Sequence, residues 1–207
     1  MSVIRHLPLL VSLTATTLGA QATTPSQRIC IAPPTAQMAS GSSTDAANAV
    51  RESFTSFLTG PSLAVTPLTA RLASQAREEA KQAGCPYVLI TALKHEHKQG
   101  SNLLGRMAGS AVEATAWELR GSAQSTAARV ATNAAATAAA TAARSVAGNV
   151  KSKDELTLDY RLETGDGTIV IHSAGKAKAE SDGQDLLTPL VQRASESIAS
   201  AVLKSPR

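Results

Sequence analysis

Three of the four histidines stand where imidazole chemistry is conceivable. His95-Glu96-His97 puts two imidazoles at i and i+2, on one face of an extended segment, and His172 falls in a later extended stretch that could lie beside it. Three neutral imidazoles converging on one point make a zinc or copper site. Against that reading, Lys94 and Lys98 flank the pair and repel a cation. H-x-H alone is also a weak pattern, equally that of a polar strand end running into a loop. The set His95, His97 and His172 therefore belongs to an alternative reading, a metal-dependent or otherwise unrecognised enzyme, and the sequence itself assigns no metal and no cofactor.

Other catalytic arrangements are thinner. No G-x-S-x-G elbow is present, and Gly109-Ser110 and Gly121-Ser122 fall in an alanine-rich tract. Asp154-Glu155 reads as a solvated strand edge, Asp182 and Asp185 as charges at a helix N-terminus, and Glu78-Glu79 as an exposed helix face. The stretch around Ser40-Gly41 lacks the glycine and lysine spacing of a phosphate loop. The expectation is a protein that is not an enzyme, with no small-molecule substrate identified. Nucleic-acid binding is also disfavoured: the formal charge is only +4, the basic residues are scattered apart from Lys176 to Lys178, and aromatics are 2% of the chain.

The chain start sets the compartment. Arg5 supplies a positive charge, Leu7 to Leu18 a short apolar stretch, and Ala20-Gln21-Ala22 an A-x-A signal, so Met1 to Ala22 reads as a secretory leader cleaved near Ala22. That run is too short and too threonine-rich to serve as a permanent span. Gln27-Arg28-Ile29 before Cys30 does not fit a lipoprotein cleavage box. The product is expected to be periplasmic or secreted. An oxidising compartment favours a Cys30–Cys85 disulfide, with two separate buried thiols as the other reading, and the absence of C-x-x-C argues against a thioredoxin-type site.

The elements that must position these residues follow from periodicity. Arg28 to Ala32 reads as a first strand stopped by Pro33-Pro34. A helix starts at Ser43 to Asp45, buries Val50, Phe54, Phe57 and Leu58, and ends at Gly60-Pro61. Ser62 to Val65 is a short strand, and Thr66-Pro67 reads as a cap opening a second helix with Leu68, Leu72, Ala76 and Ala80 in one stripe, stopped at Gly84. The unbroken run Tyr87-Val88-Leu89-Ile90 within Pro86 to Leu93 marks a central strand buried on both faces.

This order implies parallel pairing through crossovers. Leu156, Leu158, Tyr160 and Leu162 then alternate with polar residues, Gly165-Asp166-Gly167 turns the chain, and Thr168 to Ala179 returns as a hairpin partner. A last helix, signalled by Ser181-Asp182, carries Leu187, Leu190, Val191, Ala194, Ile198, Ala201 and Val202 on one face.

Ser101 to Val150 interrupts this pattern. Ala123, Ala127, Ala131, Ala135, Ala139, Ala143 and Ala147 recur at every fourth position, and Gly105 and Gly109 form a G-x-x-x-G. Alanine favours helix, and a ridge of methyl groups allows close helix approach while burying little apolar area on its own. Arg129 and Arg144 bracket a span shorter than the roughly 20 apolar residues of a membrane helix. The expectation is a helical, association-prone insertion. It would contact itself, another copy or a membrane surface through Leu103, Leu104, Met107 and Trp117, and its removal would leave the domain folded.

Gly60-Pro61-Ser62-Leu63-Ala64-Val65-Thr66-Pro67-Leu68, Gly84-Cys85-Pro86-Tyr87-Val88-Leu89, Lys153 to Leu162 and Ser181-Asp182-Gly183-Gln184-Asp185 resemble an uncharacterised family of exported bacterial proteins, over nearly the whole mature chain. That resemblance implies no activity and no catalytic residues. In element order the chain also resembles the periplasmic α/β domains of the curli-secretion lipoprotein, of outer-membrane activators of peptidoglycan synthases and of the Tol-Pal translocation protein. Those likenesses imply a binding or assembly module. The sequence thus specifies a leader (1–22), one α/β domain (23–100 and 151–207) and an Ala/Gly-rich helical insertion (101–150). The domain is expected to be a mixed sheet of about five strands, in the order β-α-β-α-β, insertion, β-hairpin, C-terminal α. Its partner is expected to be a protein, a second copy or a membrane surface.

Overall fold

The computed structural model describes residues 27–97 and 141–204. The leader, residues 101–140 and with them Leu103, Leu104, Met107 and Trp117 lie outside the described residues. In chain order the elements are β1 (Gln27–Ile31), β2 (Thr35–Gln37), α1 (Ser43–Leu58), β3 (Leu63–Pro67), α2 (Ala73–Gln82) and β4 (Tyr87–Glu96). A helical stretch at 141–147 (α3) follows, then β5 (Glu155–Thr164), β6 (Ile169–Lys178) and α4 (Leu187–Lys204).

The strands form one mixed sheet in the order β3-β1-β4-β5-β6, with β2 also paired to β4. β1 is parallel to β3 and β4, β2 is parallel to β4, and β4, β5 and β6 run antiparallel. The α/β expectation holds, with six strands in place of about five.

Alternation along the strands divides the interior in two. Ile29, Ile31, Leu89, Leu93, Leu156, Leu158 and Leu162 face α1, α3 and α4, where Phe54, Val50, Val146, Val191 and Ile198 meet them. Cys30, Ala32 and Val88 face α2, which contributes Ala76 and Ala80. β4 is buried on both faces at Tyr87, Val88 and Leu89, as the apolar run requires. α4 buries the expected stripe from Leu187 to Val202, with Ser195 added and Ala201 only half-buried.

Four boundaries differ from the sequence expectation, each for a local reason. Pro33-Pro34 does not end pairing: after it, β2 resumes alongside the outer half of β4, Thr35 opposite Ala92 and Gln37 opposite Lys94. Thr66-Pro67 closes β3 rather than opening a helix. A proline at the end of an edge strand needs no N–H, and the next amide, Leu68, donates to the Ile31 carbonyl at 2.8 Å. Leu68 is therefore buried from a loop, and Leu72, just before α2, is 61% exposed.

α1 stops at Leu58 with Thr59 extended, and Gly60 bridges back to Leu63 instead of adopting a left-handed cap. α4 starts at Leu187, where Asp185 accepts the Thr188 amide at 3.0 Å, while Asp182 accepts the Ser152 amide at 2.8 Å. Gly84 does behave as read. At φ +69 it closes α2, with Cys85 N–H on the Ala80 carbonyl (2.9 Å) and Gly84 N–H on the Lys81 carbonyl (3.1 Å).

That closure delivers Cys85 to Cys30. The two are disulfide-bonded, with Cα atoms 5.7 Å apart, and both are buried on the α2 side of the sheet.

Among the described residues no helix is long and apolar enough to cross a membrane.

Candidate functional site

Register decides which polar groups meet. Glu96 on β4 lies opposite Glu155 on β5 and His95 opposite Leu156, so the position after Glu96 faces the position before Glu155. Asp154 thereby sits against the H-x-H segment.

Its carboxylate is 1% exposed. Oδ2 accepts His95 Nε2–H at 2.8 Å and the Lys151 backbone N–H at 2.8 Å, while Oδ1 accepts His97 Nδ1–H in a short contact. The His95 ring is fully buried and its Nδ1 has no hydrogen-bond partner. The His97 side chain is 43% exposed, with Nδ1 turned inward to the carboxylate.

The sequence expectation for Asp154 is a solvated strand edge. Instead it is the hub of the cluster. Burial by itself would raise its pKa, but the Lys151 amide and the two imidazoles outweigh burial and hold it below the ordinary 3.8. A depressed carboxylate contributes stability that is present above its unfolded-state pKa and is lost as pH falls through its folded-state value. Acid unfolding should therefore be steeper below about pH 4 in the parent than in Asp154→Asn. Glu79 and Asp166 also have lowered pKa values, but they are common to both proteins and cancel in the comparison. Parallel acid-unfolding curves followed by circular dichroism would count against this assignment.

His172 does not join the cluster. It pairs across the hairpin with Arg161, on the opposite sheet face from His95, and its Nε2 meets Asp159 at 3.2 Å. Period two along each strand enforces this separation. The three-imidazole set is thus divided, and among the described residues no group of three or more His, Cys, Asp or Glu side chains has metal-binding geometry. What remains chemically is one outward imidazole oriented by a buried carboxylate, an arrangement that can move a proton or contribute a single ligand.

Two further polar features escaped the sequence reading. Glu79 is no mere exposed face: its carboxylate accepts the amides of Thr69 and Ala70 and the Thr69 hydroxyl, at 2.8 to 3.1 Å, and holds the loop that leads into α2. Glu163, 4% exposed in its side chain, accepts Arg77 from α2 at 2.9 Å and lies 2.7 Å from Arg161 Nε. The second contact is a charge contact without hydrogen-bond alignment. It stands where a bulge shifts the β5–β6 register. A surface groove of about 550 Å³ runs between α1 and the β3–α2 loop, past Arg51, Thr55, Leu68 and Thr69, and includes none of the histidines.

The end of the insertion is firmly seated. Ala143, Val146 and Val150 lie in the larger core cluster. Ser40 Oγ donates to the Asn149 carbonyl at 2.9 Å, and Gly183 N–H donates to the Val150 carbonyl at 2.9 Å. Gly41 allows this approach, because a Cβ there would fall 2.6 Å from the Asn149 side chain.

No family model and no curated protein matches the sequence. Among solved structures, the chain is similar in path to a PelC variant dodecamer from Paraburkholderia phytofirmans, at 13% identity and a TM-score of 0.48, covering 86% of this chain and 88% of that one. A second PelC dodecamer structure from the same organism gives 12% identity and a TM-score of 0.47, with 89% and 93% covered. A protein described as a neuraminyllactose-binding hemagglutinin homolog from Helicobacter pylori gives 10% identity and a TM-score of 0.35, with 94% and 92% covered.

Proposed function

We propose that the chain is a non-catalytic interaction or assembly module of a bacterial cell envelope, and that the Ala-rich insertion between β4 and β5 is its contact surface. The observation that carries this reading is the mounting of the insertion's returning end. Ala143, Val146 and Val150 are core residues, and Asn149 and Val150 are tied by hydrogen bonds to the loops at Ser40 and Gly183. A tract meant only as a spacer has no need of such anchorage. The buried Cys30–Cys85 disulfide and the leader-like start support an extracytoplasmic location.

The contact is a second copy, another envelope protein or the membrane surface, reached through Leu103, Leu104, Met107 and Trp117. Replacing residues 101–140 with a Gly/Ser linker should abolish self-association in sedimentation velocity and partner capture after crosslinking in the native envelope. Unchanged association and capture would refute the role. A second reading, a metal-dependent enzyme, draws on the His97 imidazole oriented by Asp154. Stoichiometric zinc or copper in untagged purified protein would favour it, and a metal-free preparation would not.

A further inference from the structure

We propose that the free edge of β6 pairs with the β6 edge of a second copy, antiparallel across a two-fold axis at Gly175, so that the two sheets run on as one. For its strength this rests on the reading of the insertion as a contact surface, because one pair of strands buries less area than a lasting dimer needs.

The two edges of the sheet are finished differently. At the β3 edge, Leu63 already exchanges both backbone bonds with Gly60, at 3.2 and 2.9 Å, and Pro67 has no N–H to offer. β6 is 10 residues long against 5 for β3 and, among the described residues, has no strand on its far side. Ala179, just after β6, turns both its N–H and its C=O toward β5, to Asp154 and Lys153 at 2.8 and 2.9 Å. Alternation back along the strand then sends the N–H and C=O of His172, Ala174, Lys176 and Lys178 outward. These groups form a template for another extended strand.

Charge selects the occupant. The side chains of the same four residues are exposed, on the sheet face away from α1 and α4. On that face Lys94 meets Glu96, Lys176 meets Glu155 and Arg161 meets Glu163. Asp159 has only the His172 imidazole, and Lys178 has no carboxylate among the described residues. One hairpin thus carries an unmatched anion and an unmatched cation, which is what a surface that binds its own copy requires. With Gly175 opposite its counterpart, Lys178 of one copy stands opposite His172 of the other, within reach of Asp159, and Lys176 stands opposite Ala174. About eight N–H···O=C bonds close the seam. Lysines on an edge commonly keep other strands away, and here they exclude the registers in which they would meet.

The test uses the full mature chain, ¹⁵N-labelled, with amide hydrogen exchange and sedimentation velocity over a range of concentrations. Raising the concentration should slow exchange at His172, Ala174, Lys176 and Lys178 together, while Val65, whose N–H faces out from the β3 edge, should not follow. Ala174→Pro removes an outward N–H and no bond to β5, so it should weaken association roughly tenfold or more with the unfolding midpoint kept. Asp159→Lys should weaken it about threefold, and Asp159→Lys with Lys178→Glu should restore it.

A parent that stays monomeric would overturn the proposal. So would exchange at the four amides that does not depend on concentration: slow exchange in dilute protein would show the edge covered within one chain, and protection only on adding envelope extract would assign it to a different protein. Ala174→Pro associating like the parent, or a double charge variant no better than Asp159→Lys, would also overturn it. If the parent and the 101–140 replacement associate alike, the contact-surface reading is the one that fails, and Ala174→Pro in the parent still decides the edge.

Discussion

Replacing residues 101–150 with a Gly/Ser linker should unfold the domain, whereas replacing 101–140 should leave it close to parental stability. The difference lies in residues 141–150, which carry Ala143 (0% exposed), Val146 (2%) and Val150 (1%) into the core between α1, α4 and the sheet. Burying two valines contributes about 3 to 6 kcal/mol. The Ser40 hydroxyl and the Gly183 N–H would also lose the Asn149 and Val150 carbonyls that accept from them. Against a total stability of about 5 to 15 kcal/mol, that loss is severe. Urea unfolding followed by circular dichroism measures it. A 101–150 replacement as stable as the parent would show that this stretch is a passenger on the core rather than part of it.

The second large effect concerns the disulfide. Cys30 and Cys85 are separated by 55 residues. A closure of that length restricts the unfolded chain by about 4 kcal/mol in the loop-entropy treatment. Cys30→Ala with Cys85→Ala should destabilise the domain by about 2 to 4 kcal/mol and raise m in urea, because the unfolded chain without the crosslink is less compact. Denatured but unreduced parent should react with no thiol reagent. Two labelled cysteines in that experiment, or a double variant as stable as the parent, would reject the bond as a stabilising link.

The parts of the fold that could be read from sequence were those where one physical demand dominated. Tyr87 to Ile90 must be buried on both faces, so it must be central. Leu156 to Leu162 alternate, so one side of β5 must face the core. Gly84 needs positive φ, and that stops α2. Misreadings arose where one residue type serves two ends. Thr66-Pro67 suits a helix start as well as the last step of an edge strand, and only pairing with β1 selects the second. β2, Thr35-Ala36-Gln37, is too short to show a period and exists because β4 extends beyond β1 and offers it a ladder.

The polar cluster was half visible. His95 and His97 do share a face and a partner, but Asp154 was hidden because an acidic pair before an alternating strand looks like solvated charge. The clue was available in register: pairing the alternation of β5 with the run in β4 puts Asp154 beside His97. The same register places His172 on the other face, which no count of histidines could show.

The antiparallel pairing of β4 with β5 holds His97 within one interstrand spacing of Asp154, about 5 Å, and the core holds residues 141–150, so the segment between His97 and residue 141 closes between two fixed points. For such a segment the entropy of closure depends only logarithmically on length, and each doubling costs about 0.6 kcal/mol. The β4–β5 junction therefore acts as a socket that is nearly indifferent to the size of what it holds. Relatives of this chain should differ in length there more than anywhere else in the domain, and an unrelated helical hairpin spliced between His97 and residue 141 should be carried by the same sheet with little change in its melting temperature.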